Sequence, residues 1–395
     1  MKAGNNQCIL SGLPELRITR MLSDKPAVFE TSWTGKRQCP HCACSSLRTK
    51  DSFWRYINNG RIFDRASILK VRCHKFLCLG CRRYFNTRIA GVSLWSRSSE
   101  ALKRSVFAAC NRGCPVSTVA RDYGIGTASV ERFYHHVLDL ENRRIFPHCP
   151  RILGIDEHRF TRRHGFATTF CDLRHRRVFD VALGRDSGTL GGFIRSLRGR
   201  DKVRIVCMDM NRAYRTLVRR WFLNAMIVLD RFHVIRLVNE RFRQVLTELD
   251  EENLSYNRGN LMRLMTLARS KLGKPQASRL KRYFEGQPVI QALYGFWHDL
   301  NDLLRSRNQT MAGCRRLIPR FLSYLQQLVG SPFPPLKTLG KTLTSWKEEV
   351  VRMFRFSRSN GITEGFHRKM KLIQRRAYGF RNFENYRLRV RALCG

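Results

Sequence analysis

Acid is scarce in this sequence beside its base. Its 395 residues include 30 Asp and Glu against 74 Lys and Arg, a formal charge of +44. Such a field calls for a polyanion, and nucleic acid, which releases bound counterions as its phosphates are neutralised, is the partner it points to. Long apolar runs are missing as well. No stretch approaches the roughly 20 residues of a membrane span. The basic residues are spread along the chain instead of forming one amphipathic helix or a juxtamembrane cluster, which argues against an acidic membrane as the partner. The first 20 residues contain no apolar core of a secretory signal, so none is expected. Internal repeats and low-complexity blocks are also absent. What is present is the material of a folded protein: 43% hydrophobic and 11% aromatic residues, enough for two or three domains. An intracellular setting follows, in which the 14 cysteines are thiols or metal ligands and not disulfides.

Residues 1–37 offer two short alternating stretches, "ELRITRML" and "AVFETSW", that read as edge strands. "CPHC" at 39–42 is answered by "CLGC" at 78–81. Two Cys-x-x-Cys knuckles can close four thiolates, Cys39, Cys42, Cys78 and Cys81, around one structural zinc ion. Cys44, Cys73, His41 and His74 are further candidates, and small buried core residues are the plain alternative. Between the pairs, "SFWRYINNGRIFDRASILKVRCHKF" predicts strand, Asn-Gly turn, strand, so a zinc-ribbon-like domain with an extended hairpin is expected over 38–90.

Over 97–140, apolar residues recur at helical spacing from Ala101 to Ala109. A short helix starts near Pro115, Gly124-Ile-Gly126 breaks it, and Thr127 is placed to cap a third helix. This is the pattern of a helix-turn-helix, with Ser129 and Arg132 on the helix presented to a DNA groove. A three-helix bundle used only for packing is the alternative.

From residue 150 the order reads strand-strand-strand-helix-strand-helix-strand. Three antiparallel strands followed by right-handed crossovers predict the mixed sheet of a ribonuclease-H-like fold over 150–235. A helical insertion, broken at "KLGKP", "EGQP" and "GSPFPP", follows over 236–355, and 356–395 returns to the core. The whole is a multidomain α/β chain. In that sheet Asp156 lies on the first strand and Asp209 at the C-terminal end of the fourth, beside it. Glu157 is an alternative to the first; Asp201 and Asp230 compete with the second. Paired carboxylates in a basic protein call for a cation, Mg²⁺ or Mn²⁺. Two ions would activate a water or 3′-hydroxyl and stabilise the leaving oxygen of a phosphodiester. Glu364 is the candidate for a third ligand, with Gly361 and Gly365 expected to allow close approach to the sheet. A helix-terminal acid opposing the macrodipole is the simpler reading of Glu364.

"GIDEH", "MDMNRAY", "LDRFHV" and "SNGITEGFHRKMKLIQRRAYGFRNFENYRLRV" together resemble the ISL3 insertion-sequence family of bacterial transposases, and the resemblance covers nearly the whole chain. It implies a catalytic triad of Asp156, Asp209 and Glu364 holding two Mg²⁺ or Mn²⁺ ions. It also implies Asp230 and His233 supporting the active site or binding DNA near it. The expected partners are double-stranded DNA, as terminal inverted repeats and target, and a second copy of the chain in a dimer or larger assembly. A cytoplasmic, nucleoid-associated bacterial protein is the implied setting. Lys369, Lys371, Arg375 and Arg376 are candidates to grip phosphates, against a plain solvated helix face. The competing expectations are a zinc-ribbon and helix-turn-helix regulator with an inactive C-terminal domain, and a structure-selective nuclease.

Overall fold

The structure, a computed structural model, describes residues 11–62, 64–145, 148–254, 260–356 and 361–395, with the side chains of 260, 361 and 362 left aside. The first ten residues and the opening of the 359–390 motif lie outside it. The chain divides into two compact units. One comprises Met1–Ile145 with Lys371–Ala392, and the other Phe146–Met370 with Leu393–Gly395.

In the first unit, β1 (Leu16–Asp24), β2 (Ala27–Trp33), β3 (Leu47–Ile62), β4 (Arg65–Cys78) and β5 (Tyr84–Asn86) form one sheet in the order β1-β2-β4-β3, with β5 on β4. The two strands expected in residues 1–37 therefore join the sheet of the cysteine module, because β2 pairs in parallel with β4. Leu16, Ile57, Leu69, Val71 and Cys73 make its core.

The Asn-Gly signal misplaces the turn. β3 runs through Asn59 and Gly60, where the register shifts as in a bulge, and the chain reverses between Ile62 and Arg65. Asn59 is buried and used elsewhere: its amide donates to Ser11 O at 2.7 Å and accepts from Ser99 Oγ at 2.7 Å. The same Ser99 oxygen accepts from Leu102 N and so caps the next helix.

Helices α1 (Glu100–Asn111), α2 (Val116–Tyr123) and α3 (Thr127–Arg143) pack through Leu102, Val106, Val119, Ala120 and Val130. Gly124 ends α2 with φ +61°, a conformation glycine adopts without strain. Thr127 is the first helical residue and not the cap; Gly126 holds that position without a side-chain bond.

The second unit is built on a mixed sheet in the order β10-β9-β6-β7-β8. β6 (Ile152–Thr161), β7 (Gly165–Asp172) and β8 (Arg177–Leu183) run antiparallel. On the other side of β6, β9 (Ile205–Met208) and β10 (Met226–Leu229) add in parallel, reached through α4 (Ser187–Ser196) and α5 (Arg212–Trp221). Every residue of β9 is buried, as in a strand covered on both faces.

The helices that follow are α6 (Arg231–Leu249), α7 (Glu251–Leu254), α8 (Asn260–Thr266), α9 (Lys274–Phe284), α10 (Pro288–Arg305), α11 (Met311–Val329), α12 (Pro334–Ser345) and α13 (Lys347–Arg355). Proline opens α9, α10 and α12, where its missing N–H is no loss. Last come α14 (Gly361–Arg376), whose residues to Met370 belong to the second unit, and α15 (Phe383–Cys394). No helix among the described residues is long and apolar enough to cross a membrane.

Candidate active site and metal centre

β6 is the central strand of the second unit and carries Asp156, 9% exposed, opposite Thr169 of β7. Its Oδ1 accepts from the Glu157 N–H at 2.8 Å. Asp209 follows the last residue of β9, and Asn211 then caps α5 by accepting from Ala213 N at 2.9 Å. Asp230 stands at the same point after β10 and caps α6 through Phe232 N. Because Met208 and Leu229 are register partners, the two aspartates emerge side by side at the C-terminal edge of the parallel strands, the usual location of sites in such sheets.

One turn into α6, His233 reaches back. Its Nδ1 lies 3.0 Å from Asp230 Oδ2, in a hydrogen bond, and 2.8 Å from Asp209 Oδ1. The three groups form a cluster whose ligand atoms all lie within 4.8 Å of one another. Burial opposes charge on the imidazole, but the bonds to Asp209 and Asp230 overcome it and push His233 up to about 10. Burial first, and the Asp209 charge second, push Asp156 up to about 7.

Consecutive strand residues face opposite sides of a sheet. On the side of Asp156, His367 of α14 places Nδ1 3.8 Å from Asp156 Oδ2 and Nε2 3.2 Å from Thr169 Oγ1. Thr169 also bonds His158 Nδ1 at 3.0 Å. On the other side, Glu157 lines a cavity of about 400 Å³ with Asp209, Asn211, Tyr214, His233 and Arg236. Glu157 Oε2 is buried and accepts no hydrogen bond. A buried carboxylate oxygen without a donor, beside the Asp209–Asp230–His233 cluster, fits a divalent cation, whose ligands are oxygens.

Asp209, Asp230 and His233 are thus brought together, and Asp156 lies near enough for the Asp209 charge to add to burial in raising its pKa. Glu364 lies exposed in the first turn of α14, three residues before His367. Gly365 is also exposed, and a Cβ built there meets no atom within 4 Å, so close approach to the sheet is not its role; the setting of Gly361 lies outside the described side chains. Glu157, the alternative to Asp156, lines the cavity with Asp209, whereas His367 escapes sequence reasoning. The signal for His367 is position, since it shares a helix side with Glu364 at i+3.

In the first unit, Cys39 Sγ lies 3.6 Å from Cys81 Sγ, and Cys42 Sγ lies 3.5 Å from Cys78 Sγ. All four sulfurs lie within 4.8 Å of one another. The two knuckles repeat one backbone design. Ala43 N donates to Cys39 O and Arg82 N to Cys78 O, each at 2.9 Å, with φ of 56° and 60°. Cys39 N and Cys78 N each donate to the carbonyl five residues on, Cys44 O and Arg83 O. Four sulfurs about 2.3 Å from a common centre would stand about 3.8 Å apart, so the set fits zinc. The Cys81 N–H leads the causes that lower the Cys78 thiol to about 6. Cys73 belongs to the sheet core, and Cys44 Sγ accepts from Ser46 N instead.

Of the residues expected to meet DNA, Arg132 is exposed on α3, with its guanidinium 3.0 Å from Ser129 Oγ. Lys369, Lys371, Arg375 and Arg376 are all exposed along α14.

Residues 153–390 match a family described as transposase, of the DDE type and the ISL3 group. The chain is also 24% identical over 372 residues to the transposase for insertion sequence element IS1001 of Bordetella parapertussis, covering 90% of this chain and 88% of that relative.

Proposed function

The chain belongs to the ISL3 family of transposases, and from that premise we propose that it binds the terminal inverted repeats of its element and catalyses cation-dependent strand cleavage and strand transfer. The observation that carries the reading is the pairing of Asp156 and Asp209 on adjacent strands, close enough that the Asp209 charge adds to burial in raising the Asp156 pKa, with Asp209 joined to Asp230 and His233 in one cluster. The strand order supports a ribonuclease-H-like core.

Asp156, Asp209 and Glu364 would hold two Mg²⁺ or Mn²⁺ ions. When bound, these ions favour deprotonation of an attacking water or 3′-hydroxyl and offset charge on the leaving oxygen. The remaining work falls to the chain. Glu157 N–H fixes the Asp156 carboxylate, and His233 offsets the paired charge of Asp209 and Asp230. The strand ends hold these groups on rigid backbone, which keeps their geometry ahead of substrate binding. Lys369, Lys371, Arg375 and Arg376 would take phosphates, Ser129 and Arg132 of α3 would read a groove, and Cys39, Cys42, Cys78 and Cys81 would hold one structural zinc. Joining two element ends calls for at least two copies of the chain, acting on DNA in the nucleoid.

The test uses purified protein, Mg²⁺ and a labelled element-end duplex. Nicked and strand-transferred products are expected, and Asp156→Asn, Asp209→Asn and Glu364→Gln should each abolish them while duplex binding persists. Full activity of Glu364→Gln, or cleavage indifferent to EDTA, would refute the carboxylate–metal mechanism. One zinc per chain is expected by metal analysis, falling to none in Cys39→Ser/Cys78→Ser.

A further inference from the structure

Strand β3 ends the strand order of its sheet. It carries Phe53, Trp54 and Tyr56 at 38%, 44% and 54% exposure. Large aromatics on an unpaired edge invite association and are ordinarily avoided, unless something occupies them. Facing them, Trp95 is 88% exposed and has φ 61°, the left-handed region that a bulky residue enters only at a cost.

The exposure of Trp95 does not come from a slack loop. Arg55 donates to Ser93 O and Ser96 O, Asn58 N donates to Arg97 O at 2.8 Å, and Ser99 N donates to Asn58 O at 3.0 Å. The backbone on both sides of the indole is bonded to β3, and the ring is held out into solvent. Between loop and strand lies a cavity of about 590 Å³, lined by Phe53, Trp54, Tyr56, Trp95 and Arg97 among others, and by no carboxylate. Lys70 Nζ stands 4.4 Å from the centre of the Trp54 ring, and exposed Arg72 pairs with Trp54 across the ladder.

Flat π-faces with cations beside them and no carboxylate in the lining suit a planar base joined to phosphates. A base inside a duplex shows its edges and hides its faces, so exposed indoles serve only a base that has left the stack. We infer that this cavity binds an unpaired nucleobase of a DNA strand, stacked against Trp95 and Trp54, with the flanking phosphates on Arg97, Lys70 and Arg72. The inference rests on the reading that the protein works on DNA ends, where strands are opened, and it assigns the edge of the cysteine-module sheet to the opened strand.

The full-length protein is titrated with fluorescein-labelled dT12 and with an element-end duplex, followed by anisotropy at fixed salt. Trp95→Ala should weaken dT12 binding about ten-fold or more and leave the duplex within about two-fold, while Trp95→Phe, which keeps a stacking face, retains most of the affinity. Arg132→Ala should do the reverse. Unchanged dT12 binding by Trp95→Ala overturns the inference, as does equal loss on both ligands. A change in self-association alone also overturns it, since the patch is then a protein interface. If Trp95→Ala loses zinc or melts early, Trp54→Ala is read by the same criteria. Binding of dT12 without any binding of the element-end duplex would refute the end-binding reading and leave the cavity standing; the converse would refute only the cavity.

Discussion

Nδ1 of His233 lies 2.8 Å from Oδ1 of Asp209. The contact is long-range in origin: a side chain one turn into α6 bridges the ends of two parallel strands, because its own helix is capped by the second aspartate, Asp230. A group that orients metal-binding carboxylates without reacting itself typically contributes 10- to 100-fold. His233→Ala is therefore expected to lower strand cleavage by about that factor, and to raise the Mg²⁺ concentration needed for half-maximal rate, with duplex binding unchanged. His233→Gln, which can donate to one carboxylate, should recover part of the loss. Wild-type rates and metal dependence in His233→Ala would show that the cluster does not depend on this ring.

The helix after Asp209 is fastened by a second charged contact. Arg215 of α5 donates from Nε and Nη2 to the two oxygens of Glu349, at 2.7 and 2.8 Å, and its guanidinium lies 4.3 Å from the Trp346 ring centre. Glu349 is fully buried. Removing one partner of a buried pair strands the other charge and costs about 3–5 kcal/mol, whereas replacing both with apolar residues is often neutral. Arg219 Nη2 also lies 3.4 Å from Glu349 Oε1 and stays as a partner. Arg215→Ala should therefore lower unfolding stability by about 2–3 kcal/mol in urea titration, at or below the low end of that range, and Arg215→Met/Glu349→Leu should restore most of it. A double variant as unstable as the single one would show that the pair contributes favourably beyond its own desolvation.

How far these features can be read from the sequence depends on their range. The cysteine knuckles are local, and each folds by its own backbone bonds, so spacing alone pairs them. Asp156, Asp209 and Asp230 follow from strand periodicity plus one pairing rule, which makes strand ends neighbours. Arg215–Glu349 spans 134 residues, and His367–Thr169 spans 198; no local pattern encodes either. Asn59-Gly60 shows the opposite failure. A strong turn dipeptide is overridden because the Asn59 amide gains two buried hydrogen bonds by remaining in the strand.

His298 of α10 supplies a pH prediction. It is 3% exposed, its Nε2 lies 2.9 Å from Met265 O, and its Nδ1 has no partner. Protonation would bury an unsatisfied N–H, and burial accordingly lowers its pKa below the ordinary 6.5. With the folded value depressed, the unfolded chain binds more protons as pH falls below about 6.5. Stability is then present above that pH and declines as pH drops toward the folded value. His298→Gln keeps a donor for Met265 O and removes the titration. The fall in melting temperature between pH 7.5 and 5.5 should be smaller in the variant than in the wild type; an equal fall would place the proton uptake elsewhere.

Gly365 is a test of what the acidic motif asks of its backbone. The residue lies in the interior of α14, exposed, with no atom within 4 Å of a built Cβ. Glycine at a helical position is less favourable than alanine by about 0.8–1.0 kcal/mol, through the freedom it retains in the unfolded chain. Nothing in the surroundings of residue 365 opposes a methyl group. Gly365→Ala is thus expected to raise unfolding stability by about 0.5–1 kcal/mol, measured by thermal or urea denaturation of the free protein. A loss of stability would mean that this turn of α14 meets a neighbour more closely than its exposed surroundings indicate, and the glycine would then be required for approach to the sheet after all.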